Sequence, residues 1–107
     1  MEINQFDIAI VNLDPTIGSE IKKTRPCVII SPNEMNKYLS TVIIAPMTSQ
    51  SKNYPTRIQI KHNNTIGWVV IDQIRTIDKQ RIEKIVDKLS EKEIKKVKEI
   101  IFQTFIE

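Results

Sequence analysis

The sequence predicts a mainly β fold: an antiparallel barrel of short strands with one C-terminal helix laid against it. Five or six segments of strand length between Phe6 and Asp78 show either apolar–polar alternation or continuous β-branched runs. Turn residues, not helical segments, separate them, which favours an antiparallel barrel over parallel strands joined by crossovers. The pattern changes after Lys79, where a Ser-x-x-Glu capping box at Ser90–Glu93 opens a run of helical period.

The first strand runs from Phe6 to Leu13, with Phe6, Ile8, Ile10 and Leu13 expected to face inward. In the loop that follows, Pro15 fixes its own backbone angle and Gly18 permits angles other residues resist, so the loop can hold a defined shape on the surface. Arg25 leads into the apolar run Val28-Ile29-Ile30, a strand expected to be buried on both faces, so that its guanidinium projects from a rigid element. A fixed arginine suits a phosphate. Pro32 ends that strand, and Asn33 is placed to cap a short helical turn through Asn36. Ser40 to Ser49 is a third strand in which Pro46 marks an edge, a bulge or the end, with Thr48 just past it. After the polar connection Gln50–Tyr54, Pro55 to Lys61 alternates as a strand with one wet face, and His62 to Gly67 reads as a hairpin turn. Trp68 to Ile71 returns as a buried strand, and Asp72 to Asp78 continues it or begins the next. The helix spans about residues 90–105 and presents Ile94, Val97, Ile100, Ile101 and Phe105 to a barrel of about residues 4–80; its Lys/Glu-rich face is solvated surface. The whole chain is read as a single domain, 1–107.

At 107 residues, 40% hydrophobic and 27% charged, the chain can bury a core without disulfide or metal staples. It shows no signal-peptide pattern and no apolar run near the roughly 20 residues that span a bilayer, so a cytoplasmic location is expected. The net charge of +3 is uneven: residues 1–81 hold ten Lys/Arg against seven Asp/Glu, and residues 82–107 hold six of each. The excess lies in the part that carries the loop and favours polyanionic partners, a weak signal by itself.

The usual catalytic sets fail in turn. There is one histidine, no His–Cys cluster, no glycine-rich phosphate loop and no paired-histidine metal motif, so no metal or cofactor is expected. Cys27 opens an apolar strand and reads as a buried structural thiol. His62, between turn residues, reads as an exposed polar side chain, with a base or phosphate contact as the other reading. Trp68 is core or an interface anchor, or, if exposed, a surface on which a nucleic-acid base stacks.

Four blocks carry a resemblance: Leu13-Asp14-Pro15-Thr16 with Gly18-Ser19-Glu20; Arg25 to Pro32; Ala45-Pro46-Met47-Thr48-Ser49; and Asp72-Gln73-Ile74-Arg75-Thr76-Ile77-Asp78. In this order and spacing they closely resemble the MazF/PemK family of toxins. The resemblance implies an SH3-like barrel with a C-terminal helix, shared with CcdB-like toxins, and a homodimer that cleaves single-stranded RNA, such as mRNA, without metal and is neutralised by an antitoxin. It assigns the active-site pair to Arg25 and Thr48, with 2′,3′-cyclic phosphate and 5′-hydroxyl products. Charge building on the phosphoryl oxygens would be met by the Arg25 fork and the Thr48 hydroxyl. Arginine is a poor base at neutral pH, so Glu20 is the candidate base; the alternative is that Glu20 pairs with a neighbouring cation and shapes the loop. Some relatives carry a histidine before this glutamate and an arginine two places before the Asp of the last block. Here those positions are Ser19 and Val70, so Asp72 and Gln73 are expected to brace the site or bind a base. Phe6-Asp7 likewise replaces the family's frequent Gly-Asp.

Thr16, Ser19, Lys22, Lys23, Ser49, Gln50, Lys52, Asn53, Tyr54, Arg57, Asp72, Gln73 and Arg75 are the expected RNA contacts, with Lys79 extending a phosphate track. An acidic, partly disordered antitoxin that folds on binding suits a basic cleft shared by two copies. Two other functions fit the same barrel: a toxin that poisons a topoisomerase, and a non-catalytic RNA-binding module.

Overall fold

β1 (Asp7–Asn12) runs between two apolar layers, and the rest of the fold follows from this. Phe6 and Ile8 enter one layer, together with Val28, Ala45, Met47, Ile58, Ile60, Val69 and Ile71. Ala9, Val11 and Leu13 enter the other, with Cys27, Ile29, Val42, Ile44, Ile77 and Ile82. Successive side chains of a strand point to opposite faces, so a strand with core on both sides loses the simple alternation expected of it. That is why Ile10, expected inside, is only half-buried while Ala9 and Val11 are fully buried.

The computed structural model of the protein describes residues 1–62 and 65–106. β1 pairs antiparallel with β2 (Thr24–Ile29) and, on its other side, with β7 (Ile82–Lys88). β2 pairs with β3 (Thr41–Thr48), and β3 is shared by two partners on its far side. Thr41 to Ile44 lie against β6 (Arg75–Asp78), and Met47 and Thr48 lie against β5 (Thr65–Val70), which pairs with β4 (Arg57–His62). Pro46 sits at the handover between β6 and β5. The sequence left open an edge, a bulge or an end there; β3 instead runs through Pro46, which is fully buried, and its missing N–H costs no ladder bond on the side where neither strand reaches it.

α1 (Asn33–Tyr38) is capped at Pro32, not at Asn33 as expected, because the Asn33 carboxamide accepts the Gln5 N–H at 2.6 Å. α2 (Glu91–Phe105) carries the expected capping box between Ser90 and Glu93. It buries Val97 and Ile100 in the first apolar layer, with Ile94 and Ile101 packed beside them. Phe105, expected on that face, is 54% exposed.

The turn expected at His62–Gly67 is tighter than that span, since His62 pairs with Thr65 and Ile60 with Gly67; its centre, Asn63-Asn64, lies outside the described residues. Gly67 is a strand residue, where an added Cβ would meet Met47 Cε at 3.0 Å. β7 belongs to no element expected from the sequence; its pairing with β1 carries the sheet past the expected limit near residue 80. Among the described residues, no helix is long and apolar enough to cross a membrane.

Candidate active site

Arg25 and Thr48 meet in one cleft. β2 and β3 pair at Cys27–Pro46, and two residues further along each strand come Arg25 and Thr48. A two-residue step returns to the same face, so both side chains emerge on the face that Cys27 and Pro46 share. They line an open cleft of about 290 Å³ with Pro26, Met47, Ser49, Ile66 and Gly67. The bare backbone of Gly67 leaves room here for the end of the Met47 side chain.

The Arg25 guanidinium is braced by main-chain carbonyls: Nε donates to Lys22 O at 2.8 Å and Nη1 to Met47 O at 3.3 Å. Nη2 has no partner among the described residues and is free for an anion. The Thr48 hydroxyl donates to Gln50 O at 3.2 Å and accepts from Gln50 N at 3.4 Å, which fixes it at the mouth of the β3–β4 loop. Beneath the pair lies Cys27, fully buried. Burial pushes its thiol up to about 12, against a smaller opposing pull from the positive charges of Arg25 and Arg75. It is a packed side chain, as the sequence indicated.

Glu20 is not brought into this cleft. Its carboxylate accepts the Ile17 N–H at 2.6 Å and closes a turn around Gly18, whose φ of 58° uses the left-handed freedom of glycine. It lines a neighbouring depression with Ser19, Pro46, Asp72, Gln73 and Arg75. Asp72 and Gln73 brace, in line with one of the two roles expected of them. The Gln73 carboxamide accepts the Ile21 N–H at 2.8 Å and reaches Ser19 O at 3.5 Å. Asp72 accepts from Thr56 Oγ1 at 2.8 Å and from Arg57 at 3.3 Å. Partial burial works to raise the Asp72 carboxyl, but the hydrogen bonds from Arg57 and Thr56 outweigh it and hold the group below the usual carboxylate value.

The expected phosphate track divides. Arg57 is committed: besides Asp72 it donates to Ser51 Oγ at 3.0 Å and stacks 4.9 Å from the centre of the Tyr54 ring. Arg75 donates to Leu13 O at 3.2 Å and so holds the loop. Lys79 is displaced from the cleft: its N–H binds Ser40 O at the far end of β3 from Thr48, on the order of 20 Å along the strand. Lys22, Lys23, Ser49, Gln50, Lys52, Asn53 and Tyr54 are exposed and Thr16 is half-buried; of these Ser49 lines the cleft, while Asn53 lines a separate groove beside Trp68. Arg81, not singled out in the sequence, donates to Asn12 O and to Asp14 O and ties down the start of the same loop. Its local sequence carried no signal of this, because both acceptors lie more than 60 residues away in the chain. Among the described residues, no group of three His, Cys, Asp or Glu side chains is placed to hold a metal.

The fold and cleft define a small antiparallel barrel that presents a braced guanidinium and a hydroxyl to an open cleft. A family model described as PemK-like, MazF-like toxin of type II toxin-antitoxin system matches residues 4–105, and the chain belongs to that family. It is 35% identical over 101 residues to the endoribonuclease MazF of Staphylococcus saprophyticus, covering 89% of this chain and 84% of that one. The fold matches MazF from Deinococcus radiodurans with a TM-score of 0.85 at 21% identity, over 97% of this chain and 96% of that one. It also matches a mycobacterial endoribonuclease solved in complex with its cognate antitoxin, with a TM-score of 0.80 at 17% identity over 94% and 92% of the two chains.

Proposed function

We propose that this protein is the toxin of a toxin-antitoxin pair, a cytoplasmic endoribonuclease that cuts single-stranded RNA at a short sequence without a metal ion. The convergence of Arg25 and Thr48 on one open cleft carries this reading, and the 35% identity to a protein named endoribonuclease supports it. In the reaction the 2′-hydroxyl gives its proton to water as its oxygen attacks the adjacent phosphorus, the bond from phosphorus to the 5′-oxygen breaks, and the departing 5′-oxygen takes a proton from water, so the ends are a 2′,3′-cyclic phosphate and a 5′-hydroxyl. Negative charge grows on the non-bridging oxygens as the 2′-oxygen adds. Nη2 of Arg25 meets one of them, and the Thr48 hydroxyl turns from Gln50 O to the other. Because the guanidinium is already braced, little reorganisation accompanies the step.

Glu20, held to the Ile17 N–H, shapes the loop in this mechanism and does not take the 2′-proton. The antitoxin is an acidic segment that covers the basic surround of the cleft, and the working toxin is a homodimer. Incubating the purified protein with a long RNA in EDTA and mapping the ends tests the proposal. Cyclic-phosphate ends at a recurring short sequence, lost in folded Arg25→Ala and Thr48→Ala variants, are expected. Full activity in both variants, or DNA breaks with RNA intact, contradicts it.

A further inference from the structure

We propose that Trp68 and two lysines that line the same groove, Lys92 and Lys96, form a second nucleotide subsite, in which an unpaired base stacks on the indole and a phosphate lies against the ammonium groups. This rests on the nuclease reading above and extends it. Strand register supplies the first argument. Thr48 is paired with Trp68, and Trp68 with Gln59, whereas Met47 and Val69, one residue away, point into the apolar layer. Directly opposed residues of antiparallel strands share a face, so Thr48, Trp68 and Gln59 form a row on the outer surface. Adjacent strands lie about 4.8 Å apart, so the nucleotide next to the one gripped by Arg25 and Thr48 comes within reach of the indole.

Exposure supplies the second argument. Val69 and Val70 are fully buried, yet Trp68 is only half-buried and opens on a groove of about 500 Å³. The walls of that groove include Asn53, Gln59, Lys92 and Lys96. Charge supplies the third. Two other charged groups in the groove are already engaged, Arg57 with Asp72 and Glu93 with the Ser90 N–H at 2.9 Å. Lys92 and Lys96, one helical turn apart, have no ion-pair partner among the described residues. An aromatic plane beside two unpaired cations matches the pairing of a base with a phosphate, which an acidic peptide supplies only in part.

Trp68 is the chain's only tryptophan, so its fluorescence reports on the subsite. The test titrates the full protein with a mixed-sequence, fully 2′-O-methylated RNA strand of about twelve nucleotides, which has no free nucleophile and falls within known site sizes. Anisotropy of a labelled strand follows binding in parallel. Binding should quench the indole, Trp68→Ala should weaken affinity about tenfold while Trp68→Phe keeps most of it, and Lys92→Ala should lower the salt slope by about one. Wild-type binding without quenching, together with unchanged affinity in Trp68→Ala, overturns the subsite and leaves the nuclease reading standing. Loss of self-association in Trp68→Ala at unchanged strand affinity also overturns it, since the face would then be an interface between copies. Failure of the wild-type protein to bind any strand removes the nucleic-acid reading and the subsite together.

Discussion

At the scale of single residues, Phe6 stands where the family often has glycine, and its φ of 69° shows why glycine suits that place. The phenyl ring is 7% exposed, in the first apolar layer with Lys98 Nζ 5.8 Å from its centre, so burial holds a backbone angle that side chains rarely adopt. Removing the ring should cost about 3–5 kcal/mol. Phe6→Gly should nevertheless be no less stable than Phe6→Ala in urea melts, reversing the usual order, because only glycine takes this φ without strain. Cys27 gives a second prediction. With its folded value near 12, the thiol stays protonated in the native state while the unfolded chain ionises above its ordinary value near 9. The native state then holds the extra proton, and the Cys27 contribution to stability falls as pH rises from about 9 towards 12. A thiol reagent at pH 8 should leave the folded protein unlabelled and label it fully in denaturant. The placing of Arg25 and Thr48 in one cleft and the burial of the Cys27 thiol were legible because each lies in a local sequence block. The distance of Glu20 from the cleft was not, because a loop's path depends on carboxamide and guanidinium anchors from residues 73, 75 and 81.

At the scale of elements, the short 3-10 turn Ile71–Gln73 joins the two loops that flank the cleft. Gln73 pins the β1–β2 loop through Ile21 and Ser19, and Asp72 pins the β3–β4 side through Thr56 and Arg57. Gln73→Ala should speed hydrogen exchange at the Ile21 amide by about tenfold and slow RNA cleavage, with the melting midpoint nearly unchanged, because the lost bond is local and partly exposed. Native exchange at Ile21 together with full activity would show that the loop does not depend on this tie. The strands from β1 to β5 were legible from apolar–polar alternation in β1 and β4 and from apolar runs in β2, β3 and β5. β7 was not: Glu83, Lys84, Val86, Asp87 and Lys88 are exposed, and only Ile82 is buried, with Ile85 packed beside the core. An edge strand with so thin an apolar face resembles a charged loop in sequence. Gly67 misled in the opposite direction, since a glycine that spares the Met47 side chain reads as a turn residue.

At the scale of the molecule, the two apolar layers on either side of β1 and β2 make the Arg25–Thr48 edge rigid, and the handover of β3 at Pro46 opens the face on which both emerge. Barrel class and helix were legible because they need only periodicity. The double layer was not, because it depends on β7 and β6 returning from distant sequence to cover β1 and β3. The account stands on joint action of the guanidinium and the hydroxyl at one phosphodiester. The most direct measurement is a double-mutant cycle on single-turnover cleavage with Arg25→Ala, Thr48→Val and the pair combined. Groups that act on the same transition state are strongly non-additive, so each single change should slow cleavage by about a hundredfold or more and the double variant should be scarcely slower than the worse single one. Rate losses that multiply independently, or a single variant that cleaves at the wild-type rate, would contradict joint action.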